Sequence, residues 1–139
     1  MLECLILGDS IAVGVHQVRT ECAAYAKGGW NTWQWNRDYL KNDLTAETVI
    51  ISLGSNDHQH VHTEAELLKM REKVKGKRVF WILPAGNLKA SKVNINYLQL
   101  TVKEIANKYG DVVLPITRLQ KDGIHPSWAG YKDLAEKTR

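Results

Sequence analysis

Five short apolar runs, separated by segments of helical periodicity, most strongly limit the folds open to this chain. The runs are continuous stretches rich in Val, Ile and Leu, which are typical of strands covered on both faces. Strands that alternate with helices indicate an α/β domain with a mostly parallel sheet. The predicted strands are residues 2–7, 23–26, 48–53, 79–83 and 112–116.

Capping residues predict where two of the later helices begin. Thr63 and Glu66 have the spacing of a capping box ahead of a helix over residues 64–74. Pro126 is placed at the favoured first-turn position of a last helix that runs towards the end of the chain.

A longer helix is predicted between these two. Ser91 is placed to cap a helix over residues 92–109, and Gly110 is placed to end it. The predicted apolar stripe of this helix consists of Val93, Tyr97, Leu100 and Ile105.

The composition favours one soluble domain. The chain has 139 residues, of which 44% are apolar, so residues 1–139 can bury a single core. No apolar run approaches the roughly 20 residues that a membrane-spanning helix needs. The first residues lack a signal-peptide pattern, which favours a cytoplasmic protein, with a phage or virion-associated origin as the alternative.

The two cysteines are expected to be free. Cys4 and Cys22 lie within apolar runs and do not form a CxxC pair. This placement favours buried thiols in a reducing compartment.

Four polar or glycine-rich segments each follow a predicted strand. Because open α/β sheets bind ligands at the carboxyl ends of their strands, these segments are expected to meet at one edge. They are residues 8–10 (Gly-Asp-Ser), 27–29 (Lys-Gly-Gly), 54–57 (Gly-Ser-Asn-Asp) and 122–126 (Asp-Gly-Ile-His-Pro). Taken singly, each has a structural explanation as a helix cap, a turn or a close backbone contact.

Together, the segments contain the side chains that acyl transfer requires. A serine hydroxyl becomes a good nucleophile when an imidazole removes its proton, which makes Ser10 and His125 candidates for this pair. Asp122, three residues before His125, can orient the imidazole and stabilise its charged form.

The same segments contain candidate donors for an oxyanion. The backbone N–H of Ser10 would lie at a helix N-terminus, and the Asn56 side chain supplies an amide. A further backbone N–H can come from Gly28 or Gly29.

The order of these segments resembles that of the SGNH hydrolases, also called GDSL-type esterases and lipases. The resemblance spans positions 8 to 125 and implies a flavodoxin-like three-layer α/β/α sandwich, with a five-stranded parallel sheet in the order 2-1-3-4-5. It implies Ser10 as nucleophile, His125 as general base and acid, and Asp122 as the orienting carboxylate. Asn56 and Gly29 match the family's oxyanion asparagine and glycine, and Gly28 remains an alternative to Gly29.

The resemblance implies a serine esterase that forms an acyl-enzyme on Ser10 and needs no cofactor or metal. The chain is short for this family and leaves little room for a lid, so a shallow site is expected. Such a site favours a short acyl group, most simply acetyl, on a carbohydrate or a small molecule.

Aromatic and polar residues near these segments are candidates for substrate binding. At least one of Trp30, Trp33 and Trp35 is expected to pack on the sheet, while Trp30 or Trp33 can wall the pocket. His58 and Asn87, which follow predicted strands three and four, are the other candidate contacts.

Two other functions are compatible with the sequence. His58, His60 and His62 alternate along a loop and could bind a metal for metal-assisted hydrolysis. Alternatively, the Trp cluster and the basic stretch at 69–78 could hold a glycan in a non-catalytic module. A nucleic-acid partner is not expected, because no aromatic residues are interleaved with those basic side chains.

Overall fold

The computed structural model describes residues 1–87 and 91–139. Five parallel strands form one sheet in the order β2-β1-β3-β4-β5. They are β1 (Leu2–Gly8), β2 (Ala23–Ala26), β3 (Ala46–Ser52), β4 (Arg78–Ile82) and β5 (Val112–Leu114). The predicted strands and their order are confirmed, and the strand ends agree within two residues.

Five helices cover the two faces of this sheet. They are α1 (Ser10–Val18), α2 (Thr32–Tyr39), α3 (Thr63–Lys73), α4 (Ile95–Tyr109) and α5 (Trp128–Lys137). Successive strand residues point to opposite faces, so Leu5 and Leu7 join the core beneath α2, α3 and α4, whereas Ile6 joins the core beneath α1 and α5. The predicted three-layer sandwich is therefore confirmed.

The starts of α3 and α5 differ from the prediction. His62 precedes α3 without a side-chain capping bond, and the Thr63 hydroxyl donates instead to Asp57. Ser127, not Pro126, leads into α5, and its hydroxyl accepts a hydrogen bond from the Gly130 N–H. The predicted capping box was wrong because a tertiary contact uses the threonine that would have formed it.

The predictions for α4 were right at its end and wrong at its start. Asn94, not Ser91, caps the helix by accepting from the Tyr97 N–H, and Gly110 ends it in the left-handed conformation (φ 73°). Only part of the predicted stripe is buried, because Tyr97 and Leu100 are exposed. The residues of α4 that are buried are Ile95, Leu98, Thr101, Val102, Ile105 and Ala106.

The prediction of free thiols was wrong, because Cys4 and Cys22 form a disulfide. Parallel pairing of β1 with β2 places Leu5 opposite Ala23, which brings the preceding cysteines level with each other at a Cα–Cα distance of 4.8 Å. The apolar run around each cysteine does not indicate the register between β1 and β2, and this register brings the two cysteines together. The disulfide removes the basis for the inferred reducing compartment.

None of the helices in the described part of the chain is both long and apolar enough to cross a membrane.

Candidate active site

The turn from β1 into α1 presents Ser10 at the carboxyl edge of the sheet. Gly8 has a φ of 149°, and a Cβ there would lie 1.7 Å from the Ser52 carbonyl oxygen, so only glycine fits beside β3. Asp9 caps α1 by accepting from the Ile11 N–H at 3.1 Å. Ser10 is the first residue of the helix, and its hydroxyl is therefore not the cap.

Ser10, His125 and Asp122 form one chain of hydrogen bonds. The Ser10 Oγ lies 2.9 Å from the His125 Nε2, and the His125 Nδ1 lies 2.7 Å from the Asp122 Oδ2. Since an ionised carboxylate only accepts, Nδ1 carries a proton and Nε2 is left to accept from the Ser10 hydroxyl. The loop after β5 thus brings a base to a serine that is 115 residues away in sequence.

Asp122 is held in its charged form by its own loop. Its Oδ1 accepts from the backbone N–H groups of Ile124 and His125 at 2.9 and 3.0 Å. These two bonds are the main reason that the pKa of Asp122 is lowered to about 2. The carboxylate that contacts the imidazole is therefore negative throughout the neutral range.

Of the two glycines proposed as oxyanion donors, Gly28 is the one that lies beside Ser10. Lys27, which directly follows β2, donates its N–H to the Gly8 carbonyl and so places Gly28 beside the serine. A Cβ on Gly28 would lie 3.7 Å from the Ser10 Cβ, whereas one on Gly29 (φ 81°) would have no atom within 4 Å. The Asn56 Nδ2 donates to the Trp30 carbonyl at 3.1 Å, which uses one of its two N–H groups.

Asp57 connects the starts of α2 and α3 through hydrogen bonds. The sequence analysis considered this residue only as part of a turn. It is fully buried and accepts hydrogen bonds from the Thr32 N–H and hydroxyl, each at 2.8 Å, and from the Thr63 hydroxyl at 2.6 Å. Burial raises the pKa of Asp57, although the bond from Thr63 opposes this shift. An acid flanked at a distance by two threonines was too weak a signal to identify this cluster.

Asp9 is a second buried acid that the sequence did not single out. Its side chain is fully buried, and its Oδ2 has no hydrogen-bond partner among the residues that the structure describes. Desolvation raises the pKa of Asp9 to about 7, against the lowering effect of its bond from Ile11 and of nearby His125.

The three tryptophans that follow the glycine-rich segment 27–29 have different environments. Trp35 is fully buried and donates from its Nε1 to the Tyr25 carbonyl, as expected for at least one of them. Trp30 is half-buried and packs against Tyr39, with a ring-centroid distance of 5.7 Å. Trp33 is 53% exposed.

The remaining candidate contacts are His58 and Asn87. His58 is exposed, and its Nδ1 accepts from the His60 N–H. The Asn87 Nδ2 lies 3.9 Å from an ideal Cβ on Gly123, so this side chain adjoins the loop that carries His125.

The alternating histidines do not form a metal site. His58 and His60 have ring centroids 5.8 Å apart. Across residues 1–87 and 91–139, no three His, Cys, Asp or Glu side chains are grouped so that they could hold a metal ion. The structure thus does not supply the ligand set that the metal-assisted alternative requires.

Comparisons with solved structures identify the fold. No family model and no curated protein matches the sequence. A GDSL-like lipase from Bacteroides thetaiotaomicron is 18% identical, with a TM-score of 0.68 over 99% of this chain and 89% of that chain. A member of the lipolytic protein G-D-S-L family from Veillonella parvula is 16% identical, with a TM-score of 0.66 over 99% and 96%. This chain has the GDSL hydrolase fold.

The GDSL fold is also found in the catalytic domain of a peptidoglycan O-acetyltransferase. The catalytic domain of peptidoglycan O-acetyltransferase A from Streptococcus pneumoniae is 16% identical, with a TM-score of 0.69 over 96% of this chain and 88% of that chain. These three solved structures are thus a lipase, a lipolytic protein and an acetyltransferase domain.

Proposed function

We propose that this protein is a serine esterase that removes short acyl groups, most simply acetyl, from a carbohydrate or a small molecule. The observation that carries the proposal is the continuous hydrogen-bond chain from the Ser10 Oγ through His125 to Asp122, with distances of 2.9 and 2.7 Å. A hydroxyl paired with an imidazole that a carboxylate orients is the arrangement that activates a serine nucleophile.

In the first half of the reaction, the Ser10 Oγ attacks the ester carbonyl carbon while the His125 Nε2 takes the hydroxyl proton. The carbonyl oxygen becomes an oxyanion that accepts hydrogen bonds from the Ser10 N–H, the Asn56 amide and the N–H of Gly29, with Gly28 as the alternative. When the tetrahedral intermediate collapses, the ester C–O bond breaks and the alcohol leaves with the proton from His125.

In the second half, water hydrolyses the acyl-enzyme. His125 takes a proton from the water as its oxygen attacks the acyl carbon, and the same donors stabilise the second oxyanion. Collapse returns the proton to the Ser10 Oγ and releases the carboxylic acid. Asp122 stays ionised in both halves and balances the charge of the imidazolium.

The exposure of the site supports a short acyl group. The side chains of His125 and Asp122 are 35% and 43% exposed, so the base operates at an open surface. An open surface provides little apolar wall for a long acyl chain, while it admits a bulky alcohol such as a sugar. The likeness to a peptidoglycan O-acetyltransferase domain supports acetyl and carbohydrate as the two parts of the substrate.

Replacement of the nucleophile tests this proposal. We expect Ser10→Ala to lower kcat/KM for a short-chain chromogenic ester by at least about 10³-fold and to abolish labelling by a fluorophosphonate probe. Ser55→Ala is the matched control and should retain both, because that serine has no role in the proposed mechanism. Undiminished turnover by Ser10→Ala would contradict the proposal, and turnover that a chelator abolishes would favour the metal-assisted alternative.

A further inference from the structure

The β5–α5 loop, residues 115–127, carries the proposed base and its carboxylate on an exposed part of the surface. Residues 117–122 of this loop are exposed, and the side chains of His125 and Asp122 are 35% and 43% exposed. The Ser10 Oγ nevertheless lies only 2.9 Å from the His125 Nε2. Contacts with the rest of the molecule are therefore needed to hold this loop against the start of α1.

Hydrogen bonds inside the β5–α5 loop fix its shape. The Gln120 N–H donates to the His125 carbonyl at 2.8 Å, and the Gln120 Nε2 donates to the Pro126 carbonyl at 2.9 Å. The Ser127 N–H donates to the Arg118 carbonyl at 2.9 Å. Because each of these bonds joins two residues of the same loop, they leave open where the loop lies relative to the nucleophile.

The Ile124 side chain reaches from this loop to the start of α4. An ideal Cβ on Gly86 would lie 3.7 Å from the Ile124 Cγ1 and 3.6 Å from the Ile95 Cδ1. Ile95 is the first residue of α4 and is only 5% exposed. Both isoleucines therefore border the space that the missing side chain of Gly86 leaves.

The segment after β4 lies close against the residues that precede His125. A Cβ on Gly86 would collide with the Ser91 hydroxyl, so this position has no room for a side chain. In the next pair of residues, the Asn87 Nδ2 lies 3.9 Å from an ideal Cβ on Gly123. Two consecutive residues of each segment thus face each other, and Ile124 supplies the apolar side chain of this contact.

Ile124 is also linked directly to both members of the acid–base pair. Its N–H donates to the Asp122 Oδ1 at 2.9 Å, and it precedes His125 in the chain. A displacement of Ile124 would therefore move the carboxylate and the imidazole together, away from their place beside the serine. A misplacement of about 1 Å in a catalytic group can lower a rate by about 10²-fold.

We propose that Ile124 is a positioning residue. Its packing beside Gly86 and Ile95 holds the His125 imidazole within reach of the serine hydroxyl. Ile124 acts through His125, since an aliphatic side chain can neither transfer a proton nor stabilise an oxyanion. Its effect on rate rests on the proposed esterase function, whereas its effect on the place of the loop does not require turnover.

Three variants separate positioning from general loosening of the loop. Ile124→Ala removes the Cγ1 that borders Gly86, whereas Ile124→Val keeps both γ carbons. Ile116→Ala is the matched control, because it makes the same truncation at a half-buried isoleucine of the same loop that packs on the core beneath α1 and α5. If urea titrations show that Ile124→Ala does not fold, Ile124→Thr, which keeps one γ-methyl group, takes its place with a smaller expected loss.

Two measurements are made on each variant. The first is kcat and KM for a short-chain chromogenic ester. The second is the distance from the Ser10 Oγ to the His125 Nε2 in a crystal structure of the variant, which does not depend on turnover.

We expect Ile124→Ala to lower kcat by about 10- to 100-fold with little change in KM, because the base is displaced while the ester still binds. Ile124→Val should retain most of the wild-type kcat, and Ile116→Ala should retain it fully. The distance between Ser10 and His125 should exceed about 3.5 Å in Ile124→Ala and stay within hydrogen-bond range in the other two variants.

Three results would overturn the role of Ile124. These are a wild-type kcat in Ile124→Ala, an equal loss of kcat in Ile116→Ala, and an unchanged distance between Ser10 and His125 in Ile124→Ala. If the wild type hydrolyses no ester while this distance lengthens in Ile124→Ala alone, the esterase proposal fails and the positioning role stands.

Discussion

Asp57 shows how a single buried side chain can organise the candidate site without touching the reacting atoms. Its two oxygens accept hydrogen bonds from residues at the starts of α2 and α3, and its neighbour in sequence is Asn56. The loops that carry Trp30 and Asn56 are therefore joined to one carboxylate.

At the same scale, the raised pKa of Asp9 predicts how the stability of the protein changes with pH. Its pKa is raised from 3.8 to about 7, so between about pH 4 and pH 7 the folded protein holds a proton that the unfolded chain releases. The free energy of unfolding should therefore fall as the pH rises through this range. Above about pH 7, Asp9 should cause no further decrease. We expect Asp9→Asn, which cannot ionise, to show a smaller fall between pH 5 and pH 8 in urea titrations.

The control for this experiment is Asp38→Asn. The Asp38 side chain is 41% exposed and its pKa is lowered by Arg37, so it stays ionised across the same range. This variant should keep the wild-type pH dependence. Burial also raises the pKa of Asp57, so Asp9→Asn should reduce the slope without removing it. If the slopes of Asp9→Asn and wild type coincide, the buried proton is not on Asp9.

At the scale of elements, Asn94 and Ser91 are the two residues that could cap the start of α4. Asn94 accepts from the Tyr97 N–H at 3.1 Å, and Ser91 lies three residues before it. We expect Asn94→Ala to lower the free energy of unfolding by about 1 kcal/mol, because it leaves an N-terminal N–H without its acceptor. Ser91→Ala should cost less than half as much, and a larger cost for Ser91→Ala would place the helix start where the sequence alone predicted it.

Helix α2 shows how one element can serve the core and a surface at once. Its side chains at positions 33 and 35 lie on different sides of the helix, so Trp35 fills the core while Trp33 faces solvent. The capping box between Asn31 and Gln34 fixes where this helix begins. Packing of the helix on the sheet then buries Trp35 and leaves Trp33 exposed.

At the scale of the whole molecule, the Cys4–Cys22 disulfide ties the edge strand β2 to β1. The two cysteines are 18 residues apart, and a crosslink that closes a loop of this size stabilises a fold by about 3 kcal/mol in the chain-entropy treatment. We expect a reducing agent, or the Cys4→Ala/Cys22→Ala double variant, to lower the free energy of unfolding by about this amount in urea.

The proposed esterase activity provides the control for this change. Ser10 lies at the carboxyl end of β1, whereas Cys4 lies near the start of that strand. Below the unfolding transition, the reduced protein should therefore turn over a small ester as the oxidised protein does. A stability that does not respond to reduction would show that the crosslink adds nothing to β1–β2 pairing.

Short-range patterns in the sequence determined the strands, the glycine that ends α4 and the order of the four polar segments. Apolar runs specify strands because a parallel sheet buries both faces, and segments that follow those strands must emerge at its carboxyl edge. The resemblance to GDSL hydrolases added the sheet order, which the structure has. These features depend on neighbours in the chain or on a known topology.

Only the tertiary structure decided between structural alternatives that the sequence left open. Strand register paired Cys4 with Cys22, the contact with Asp57 withdrew Thr63 from its predicted capping box, and packing on the sheet left Trp33 exposed. In each case the sequence was compatible with two arrangements. Contacts that lie outside the local pattern made the selection, at a separation of six residues for Asp57 and Thr63 and of 18 for the two cysteines.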